Sequence, residues 1–346
     1  MQMKIAVISF TPAGKSTAER VVRFLETKNH QVIHSVKCAS VKESYEGTLE
    51  EWTRQQFQTQ DAIVFVGAVG IAVRGIAPFL CSKKTDPTVL VIDEQGKYCI
   101  PILSGHIGGA NELADLIAKA IQAEPDITTA TDLNRKWAVD VFATKNQLYI
   151  TDMKKAKHIS AAVLQNRKLS MKIEGGEYEG RCPEEIELLE EDAESEADIC
   201  VSIRRPRELG HTLYLVPRSV ILGVGCRRDV SAETIEEAVL YAVEQTGIWM
   251  ESISKAASID MKSNESGILR FCKKYYLPFE TFGKEKLMKA EGEFTASPFV
   301  ENIVGVDNVC ERSAICAGGN RLICEKTVCQ GVTVALAVKT WGCCFE

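Results

Sequence analysis

The sequence predicts an α/β protein of several domains, built on mostly parallel sheets flanked by helices. Short runs rich in Val and Ile alternate with longer segments of helical periodicity, the pattern of strand-helix-strand units. At 346 residues the chain is too long for one core when domains hold ~150 residues each. Hydrophobic residues at 45%, charged residues at 25% and aromatics at 7% match an ordinary folded protein and exclude a disordered or collagen-like chain.

Taken in order, a strand is expected at Lys4–Ser9, then a turn at Thr11–Gly14 and a helix from Ser16 to Thr27. A strand at Gln31–Val36, a polar helix at Leu49–Thr59 and a strand at Ala62–Val66 follow. A turn at Gly67–Gly70 opens a helix at Ile71–Leu80. Strands at Thr88–Ile92 and Tyr98–Pro101 flank Asp93-Glu94-Gln95-Gly96, a good turn signal. Ser104–Gly109 leads into a helix at Ala110–Ala123, and Ile127–Asp132 ends a short strand. Beyond it, Asp140–Asp152 reads as a connection with a short strand, and Met153–Leu169 as a helix. Gly175–Glu196 holds ten acidic residues against Arg181 alone, and reads as a solvated loop or helix face. Strands at Asp198–Ile203 and Thr212–Val216 bracket the basic Arg204-Arg205-Pro206-Arg207. The last part starts with a strand at Ser219–Gly223, turns at Gly223-Val224-Gly225-Cys226-Arg227-Arg228 and enters a helix at about Ser231–Gln245, with Ser231 an N-cap candidate. It closes on the buried-strand pattern Gly331–Val338. Boundaries near 137 and 217 divide the chain into an N-terminal α/β domain (1–137), a central α/β region (138–216) and a C-terminal α/β domain (217–346).

Charge and cysteines bound the partners. With 41 Lys+Arg against 47 Asp+Glu, net −6, the surface is not generally basic, so no nucleic-acid partner is expected. No run reaches the ~18–20 apolar residues that span a bilayer, and Ile5–Phe10 is too short for a signal core, so a cytoplasmic protein without a membrane partner is expected. The 13 cysteines are odd in number and scattered, which reads as reduced thiols. Six of them (Cys310, Cys316, Cys324, Cys329, Cys343, Cys344) fall in the final 37 residues, but without a C-x-x-C and with no histidine after His211 no metal site is expected.

Two motifs imitate nucleotide chemistry. Thr11-Pro12-Ala13-Gly14-Lys15-Ser16 resembles the end of a P-loop, yet its first glycine is replaced by Ser9 and Pro12 removes a phosphate-cradling N–H. Gly67-x-x-Gly70-x-x-x-x-Gly75 lacks the dinucleotide spacing. The richest segment is Leu103 to Glu112, LSGHIGGANE, lying between a strand and a helix where α/β folds gather ligands at strand carboxyl ends. His106 has the intrinsic pKa to take a proton from water, with Ser104, Glu112 and Asp132 as further catalytic candidates. Gly105, Gly108 and Gly109 permit close approach, offer N–H groups to an anion and, with Asn111, form one binding segment. Gly67, Gly70 and Arg74 form a second nest with a cation one turn on, and Lys84 and Thr131 extend the set. Gly225, Arg227, Asp260, Lys262 and Glu311 each follow or end an apolar run, the usual place for cleft-facing polar groups.

Together these segments resemble the cobalt-precorrin-5A hydrolase (CbiG) family of anaerobic cobalamin biosynthesis. The resemblance rests on GAVGIAVRGIA (67–77), Lys84–Pro87, LSGHIGGANELA (103–114) and ITTATD (127–132) in the first half. In the last third it rests on LGVGCRR (222–228), ASIDMKSNESG (257–267), VGVDNVCERSA (304–314) and GVTVALA (331–337). It implies opening of the δ-lactone of cobalt-precorrin-5A, with release of acetaldehyde to give cobalt-precorrin-5B. It implies no cofactor of the enzyme's own, since cobalt arrives with the corrinoid substrate. The reading of the residues fits that chemistry: His106 is expected to activate water, Glu112 or Asp132 to orient it, N–H groups near Gly108 and Gly109 to hold the oxyanion, and Arg74, Lys84, Arg227 and Lys262 to pair substrate carboxylates. A non-catalytic corrinoid-binding protein, a P-loop-like NTPase and a homodimer stay open on sequence alone.

Overall fold

In the computed structural model, residues 2–82, 85–105, 109–128, 136–193, 196–298 and 305–345 are described. The chain divides into two compact units, Met1–Lys136 and Trp137–Glu346. In the first, β1 (Lys4–Ser9), α1 (Pro12–Thr27), β2 (Gln31–Val36), α2 (Leu49–Thr59), β3 (Ala62–Val66), α3 (Val69–Ile76), β4 (Thr88–Ile92), β5 (Tyr98–Leu103), α4 (Ala110–Ile121) and β6 (Glu124–Pro125) succeed one another. The sheet order is β2-β1-β3-β4-β5-β6. Strands β1 to β4 are parallel, and β5 reverses, setting Val89 opposite Leu103 and Ile92 opposite Cys99. Helices cover both faces, which is why β1, β3 and β4 read as continuous apolar runs. Val21, Leu25 and Ile117 pack on Ile5, Val64 and Leu90 on one side; Trp52, Ala72 and Ile76 pack on Ile8, Ile63 and Phe65 on the other. Helix α1 begins before the expected Ser16, because Pro12 at its first position loses no intrahelical bond and Thr11 Oγ1 accepts the Gly14 N–H at 2.9 Å.

The second unit holds two larger sheets. Its first part contains α5 (Val139–Lys145), β7 (Leu148–Ile150), α6 (Met153–Leu164), β8 (Leu169–Ile173), β9 (Glu177–Glu179), β10 (Ile186–Leu189), β11 (Ile199–Val201) and β12 (Leu213–Pro217). The order is β10-β8-β11-β12-β7, parallel except for β7. Three expectations are corrected here. The helix from Met153 stops at Leu164, since Asn166 takes a left-handed φ of 60° and frees Leu169 to start a strand. The acidic stretch carries β9 and β10, anchored by buried Ile186. The segment after Asp140 contains α5, whose Val139, Phe142 and Ala143 are buried.

The remainder comprises β13 (Val220–Cys226), α7 (Ala232–Thr246), β14 (Ile253–Ile259), α8 (Ser266–Lys274), β15 (Phe279–Phe282), α9 (Lys284–Met288), α10 (Cys310–Cys316), β16 (Arg321–Cys329), β17 (Val332–Val338) and β18 (Gly342–Cys344). The sheet order is β15-β14-β13-β17-β16, with β13, β14 and β15 parallel and β17 antiparallel to both neighbours. Helices α7 and α8 bury Ile235, Val239 and Phe271 on one face, and α10 sets Ala314 against Ile221, Ala257 and Ala337 on the other. Gly223 admits α10: a Cβ there would lie 1.8 Å from the Cys310 carbonyl oxygen. The tail returns to the first part of the unit, where β18 pairs with β9 and Phe345 stacks on Phe142 at 5.0 Å.

Candidate functional site

The predicted residues fall at three separate places in the two units. In the first unit, the turn after β3 lies at the carboxyl edge of the parallel strands. Gly67 donates its N–H to the Ile92 carbonyl at 2.8 Å and sits against Phe10, while Gly70 is exposed with nothing near its missing side chain. Arg74 stands exposed in the last turn of α3. The neighbouring turn before α1 is no phosphate loop, because the Thr11 hydroxyl donates to Glu94 Oε2 at 2.9 Å and Thr17 Oγ1 to the Glu94 carbonyl at 2.9 Å. Asp93 closes the hairpin beside it, its carboxylate accepting the Gln95 and Lys97 N–H groups at 3.0 Å.

The described parts of the LSGHIGGAN segment, up to Gly105 and from Gly109 onward, lie at the opposite edge. Because β5 runs against β4, it ends beside Val89, at the amino ends of the parallel strands. The loop follows the carboxyl end of its own strand, as expected, but that strand is reversed, so the described ends of the loop and the Gly67 turn lie at opposite ends of the sheet. Ser104 takes a left-handed φ of 60°, unusual for a residue with a Cβ, and its hydroxyl donates to the Asp86 carbonyl at 3.1 Å. Asp86 in turn accepts the Cys81 and Ser82 N–H groups at 3.0 Å, so the segment before β4 is tied to the loop after β5. The Ser104 and Gly105 carbonyls accept from Ala110 N (3.2 Å) and Asn111 N (3.1 Å). Those two helix-start amides are thus committed within the protein and do not serve an anion. Gly105 packs against buried Asn111, Gly109 caps α4 with a φ of 76°, and Glu112 is exposed in the first turn. His106, Gly108, Lys84, Thr131 and Asp132 lie outside the described residues.

The third place is the carboxyl edge of β13, β14 and β15. Arg227 and Arg228 are exposed there, and Asp260 is exposed with Oδ1 accepting the Met261 N–H at 2.7 Å. Three expectations are corrected at this edge. Gly225 is buried, and a Cβ would meet Thr333 Oγ1 at 2.6 Å, so it serves close packing of the strand and not a ligand. The Lys262 ammonium, on a side chain only 14% exposed, is held by Glu265 Oε2 at 2.7 Å and the Arg227 carbonyl at 3.1 Å. It positions the arginine turn, with two of its three N–H donors and its charge already engaged by protein groups. Glu311 is fully buried, accepting from Thr295 N (2.7 Å) and Asn308 Nδ2 (2.7 Å) on one oxygen and from Thr295 Oγ1 (3.0 Å) and Lys326 N (2.6 Å) on the other. Four uncharged donors occupy its two carboxyl oxygens, and it is closed off from solvent.

Electrostatics follow this geometry. Burial works to raise the Glu265 pKa, but the Lys262 hydrogen bond and charge, the Asp229 N–H and Arg228 outweigh it, leaving the carboxyl below its ordinary value. Burial pushes the neighbouring Cys226 thiol up against the opposing pull of Lys262. All 13 cysteines are free thiols, and among the described residues no three His, Cys, Asp or Glu side chains converge as metal ligands. Among the described residues no helix is long and apolar enough to cross a membrane.

Known proteins give this arrangement its context. Three family models match in succession: Cobalamin synthesis G N-terminal at 51–132, Cobalamin biosynthesis central region at 137–217 and Cobalamin synthesis G C-terminus at 220–337. The cobalt-precorrin-5A hydrolase of Salmonella typhimurium is 32% identical over 96% of this chain and 97% of its own. The chain belongs to the cobalt-precorrin-5A hydrolase (CbiG) family. A second family member, from Priestia megaterium, is 28% identical over 96% of this chain and 94% of its own. Protein CobE of Sinorhizobium sp is 29% identical over 122 residues, 34% of this chain and 79% of that protein.

Within the family framework, the sequence reading passed over the lysines that follow β15. An open cleft of about 710 Å³ is lined by Asp260, Gly283, Lys284, Glu285, Lys286 and Lys289. Phe279–Phe282 is a strand of only four half-buried residues, too short and too polar to stand out, so the lysines after it carried no positional meaning. The spacing Lys-x-Lys-x-x-Lys directly after Phe282-Gly283 was the available signal.

Proposed function

We propose that this chain opens the δ-lactone of cobalt-precorrin-5A with water and releases acetaldehyde, leaving cobalt-precorrin-5B. The full-length relation to hydrolases named for that substrate carries the reading. Water adds to the lactone carbonyl, the ring C–O bond breaks to a carboxylate, and the freed hydroxyl on the two-carbon fragment loses its proton. Its carbon then becomes the aldehyde carbonyl as the C–C bond breaks, and that electron pair passes into the macrocycle. The cobalt is part of the substrate, and the protein adds no cofactor of its own.

The chemistry asks the protein for a base, an anion site and carboxylate clamps. His106 is the base in this reading, with Glu112 or Asp132 orienting the water. Support comes from the anchors on either side of it: Ser104 on the Asp86 carbonyl, and the Ser104 and Gly105 carbonyls on the first amides of α4. With Ala110 and Asn111 committed, the oxyanion falls to amides nearer Gly108 and Gly109. Arg74 and Arg227, each exposed in its own unit, are carboxylate clamps retained from the sequence reading, and Lys84 remains a candidate clamp.

Anaerobic turnover in 18O-labelled water tests the proposal. One labelled oxygen in the newly freed corrinoid carboxylate is expected, and His106→Ala should abolish its appearance while the protein stays folded. A corrinoid product without label, or undiminished turnover by His106→Ala, overturns the lactone-hydrolysis step or the base assignment respectively.

A further inference from the structure

Four basic side chains around the C-terminal sheet are held in ion pairs. Lys255 pairs with Glu280 at 2.7 Å, Lys262 with Glu265 at 2.7 Å, Lys274 with Glu236 at 2.6 Å and Arg312 with Asp307 at 2.6 Å. Lys284, Lys286 and Lys289 behave differently: they crowd one open cleft, and none has an ion pair among the described residues. Three like charges within six residues repel one another unless an anion joins them. The cleft lies outside the carboxyl ends of parallel β14 and β15, the place where open α/β sheets take ligands. Its volume of about 710 Å³ is that of a small-molecule site.

Two of the three side chains also have defined neighbours. Lys286 Nζ stands 4.5 Å from the centroid of the Phe282 ring, a cation-π contact that fixes its direction. Lys284 lies over the backbone of Gly305, where a Cβ would come within 2.2 Å of its Nζ. The acidic lining groups, Asp260 and Glu285, are two against three, so the cleft keeps a positive excess in a protein of net charge −6.

We propose that this cleft is a carboxylate-binding subsite, in which Lys284, Lys286 and Lys289 take the acid side arms of a polycarboxylated tetrapyrrole. The inference deepens the hydrolase reading, and rests on it for the identity of the natural ligand. Lysine suits the task because separate carboxylates on flexible arms are met by separate point charges; a rigid bidentate fork would demand one fixed arm geometry.

The test uses the full chain and two ligands. Uroporphyrin, an octacarboxylate without a lactone, is titrated by its fluorescence, and cobalt-precorrin-5A is turned over anaerobically. Lys286→Glu and the Lys284→Ala/Lys289→Ala double variant should bind uroporphyrin at least tenfold more weakly than wild type. They should raise KM for the lactone with kcat little changed, while Lys339→Glu, an exposed charge change elsewhere, should do neither. Wild-type affinity in the cleft variants, or failure of the wild type to bind uroporphyrin, overturns the subsite. If the wild type binds and the variants do not, yet no acetaldehyde forms, the subsite stands and the hydrolase reading falls. If all variants turn over with unchanged KM, the subsite falls and the hydrolase reading stands.

Discussion

Replacing Gly223 with alanine puts the packing of the C-terminal sheet under direct test. The added Cβ would sit 1.8 Å from the Cys310 carbonyl oxygen and 2.7 Å from its carbon, against ~3.5–4.0 Å for a relaxed non-bonded contact. The obstacle is backbone, so no rotamer change relieves it, and α10 has to lift by roughly 1.5 Å from β13. Overpacking of this kind costs about 1–3 kcal/mol. Helix α10 also carries Glu311, whose four hydrogen bonds tie it to Thr295, Asn308 and Lys326. Loosening two of them adds about 1 kcal/mol each, for a sum of about 3–5 kcal/mol. Urea unfolding followed by far-UV circular dichroism reads the loss. Gly70→Ala is the companion variant, with open space at a helical position, and is expected to change stability by less than about 1 kcal/mol. A Gly223→Ala protein as stable as wild type would refute the close approach of α10 to β13.

Other outcomes follow from the same structure. Glu311→Gln turns an amide NH2 toward donors that one carboxylate oxygen now accepts, and should lower the unfolding free energy by about 2–3 kcal/mol; a change below about 0.5 kcal/mol would show that the four bonds do not form together. Glu265, depressed below its ordinary value of 4.5, contributes stability that is fully present above that pH and is lost as the pH falls through its folded pKa. Denaturation midpoints of Glu265→Gln should therefore fall less steeply with acid below about pH 4.5 than those of wild type, and parallel curves would remove the Glu265 contribution. Thiol labelling of the native protein should reach exposed Cys81 and Cys344 first, and also Cys38, whose pKa the Ser40 hydroxyl lowers. Cys99, Cys200, Cys310 and Cys343, with pKa values pushed to about 12 by burial, should react only on unfolding; early labelling of any of them would contradict its placement.

Much of the architecture is legible because parallel strands buried on both faces leave unbroken apolar runs. Lys4–Ser9, Ala62–Val66 and Thr88–Ile92 stand out for that reason and fall at the expected residues. Where burial is one-sided the signal fails. Arg321–Cys329 is a half-buried edge strand, and Glu177–Glu179 is fully exposed, held by pairing with the distant Gly342–Cys344. Strand direction is equally hidden from local pattern. Nothing in Tyr98–Leu103 announces that it runs antiparallel, yet that reversal sends the Ser104 loop to the far edge of the sheet from Gly67. At the C-terminal edge, polar residues after apolar runs were read as ligands of a cleft. Arg227 and Asp260 are exposed there, whereas Lys262 and Glu311 are committed to neighbours tens of residues away or across a turn, partners that spacing does not reveal. Gly223 and Gly225, two residues apart on one strand face, reflect the approach of a helix and a threonine, a packing demand that looks in sequence like a phosphate-style glycine turn.

Anaerobic incubation of the purified chain with cobalt-precorrin-5A, following acetaldehyde and corrinoid mass together, tests lactone hydrolysis without an intermediary. One acetaldehyde per corrinoid consumed is expected, with the matching loss of a two-carbon unit and no need for added nucleotide. A corrinoid that binds and is recovered unchanged would contradict it and leave a binding protein in place of a hydrolase.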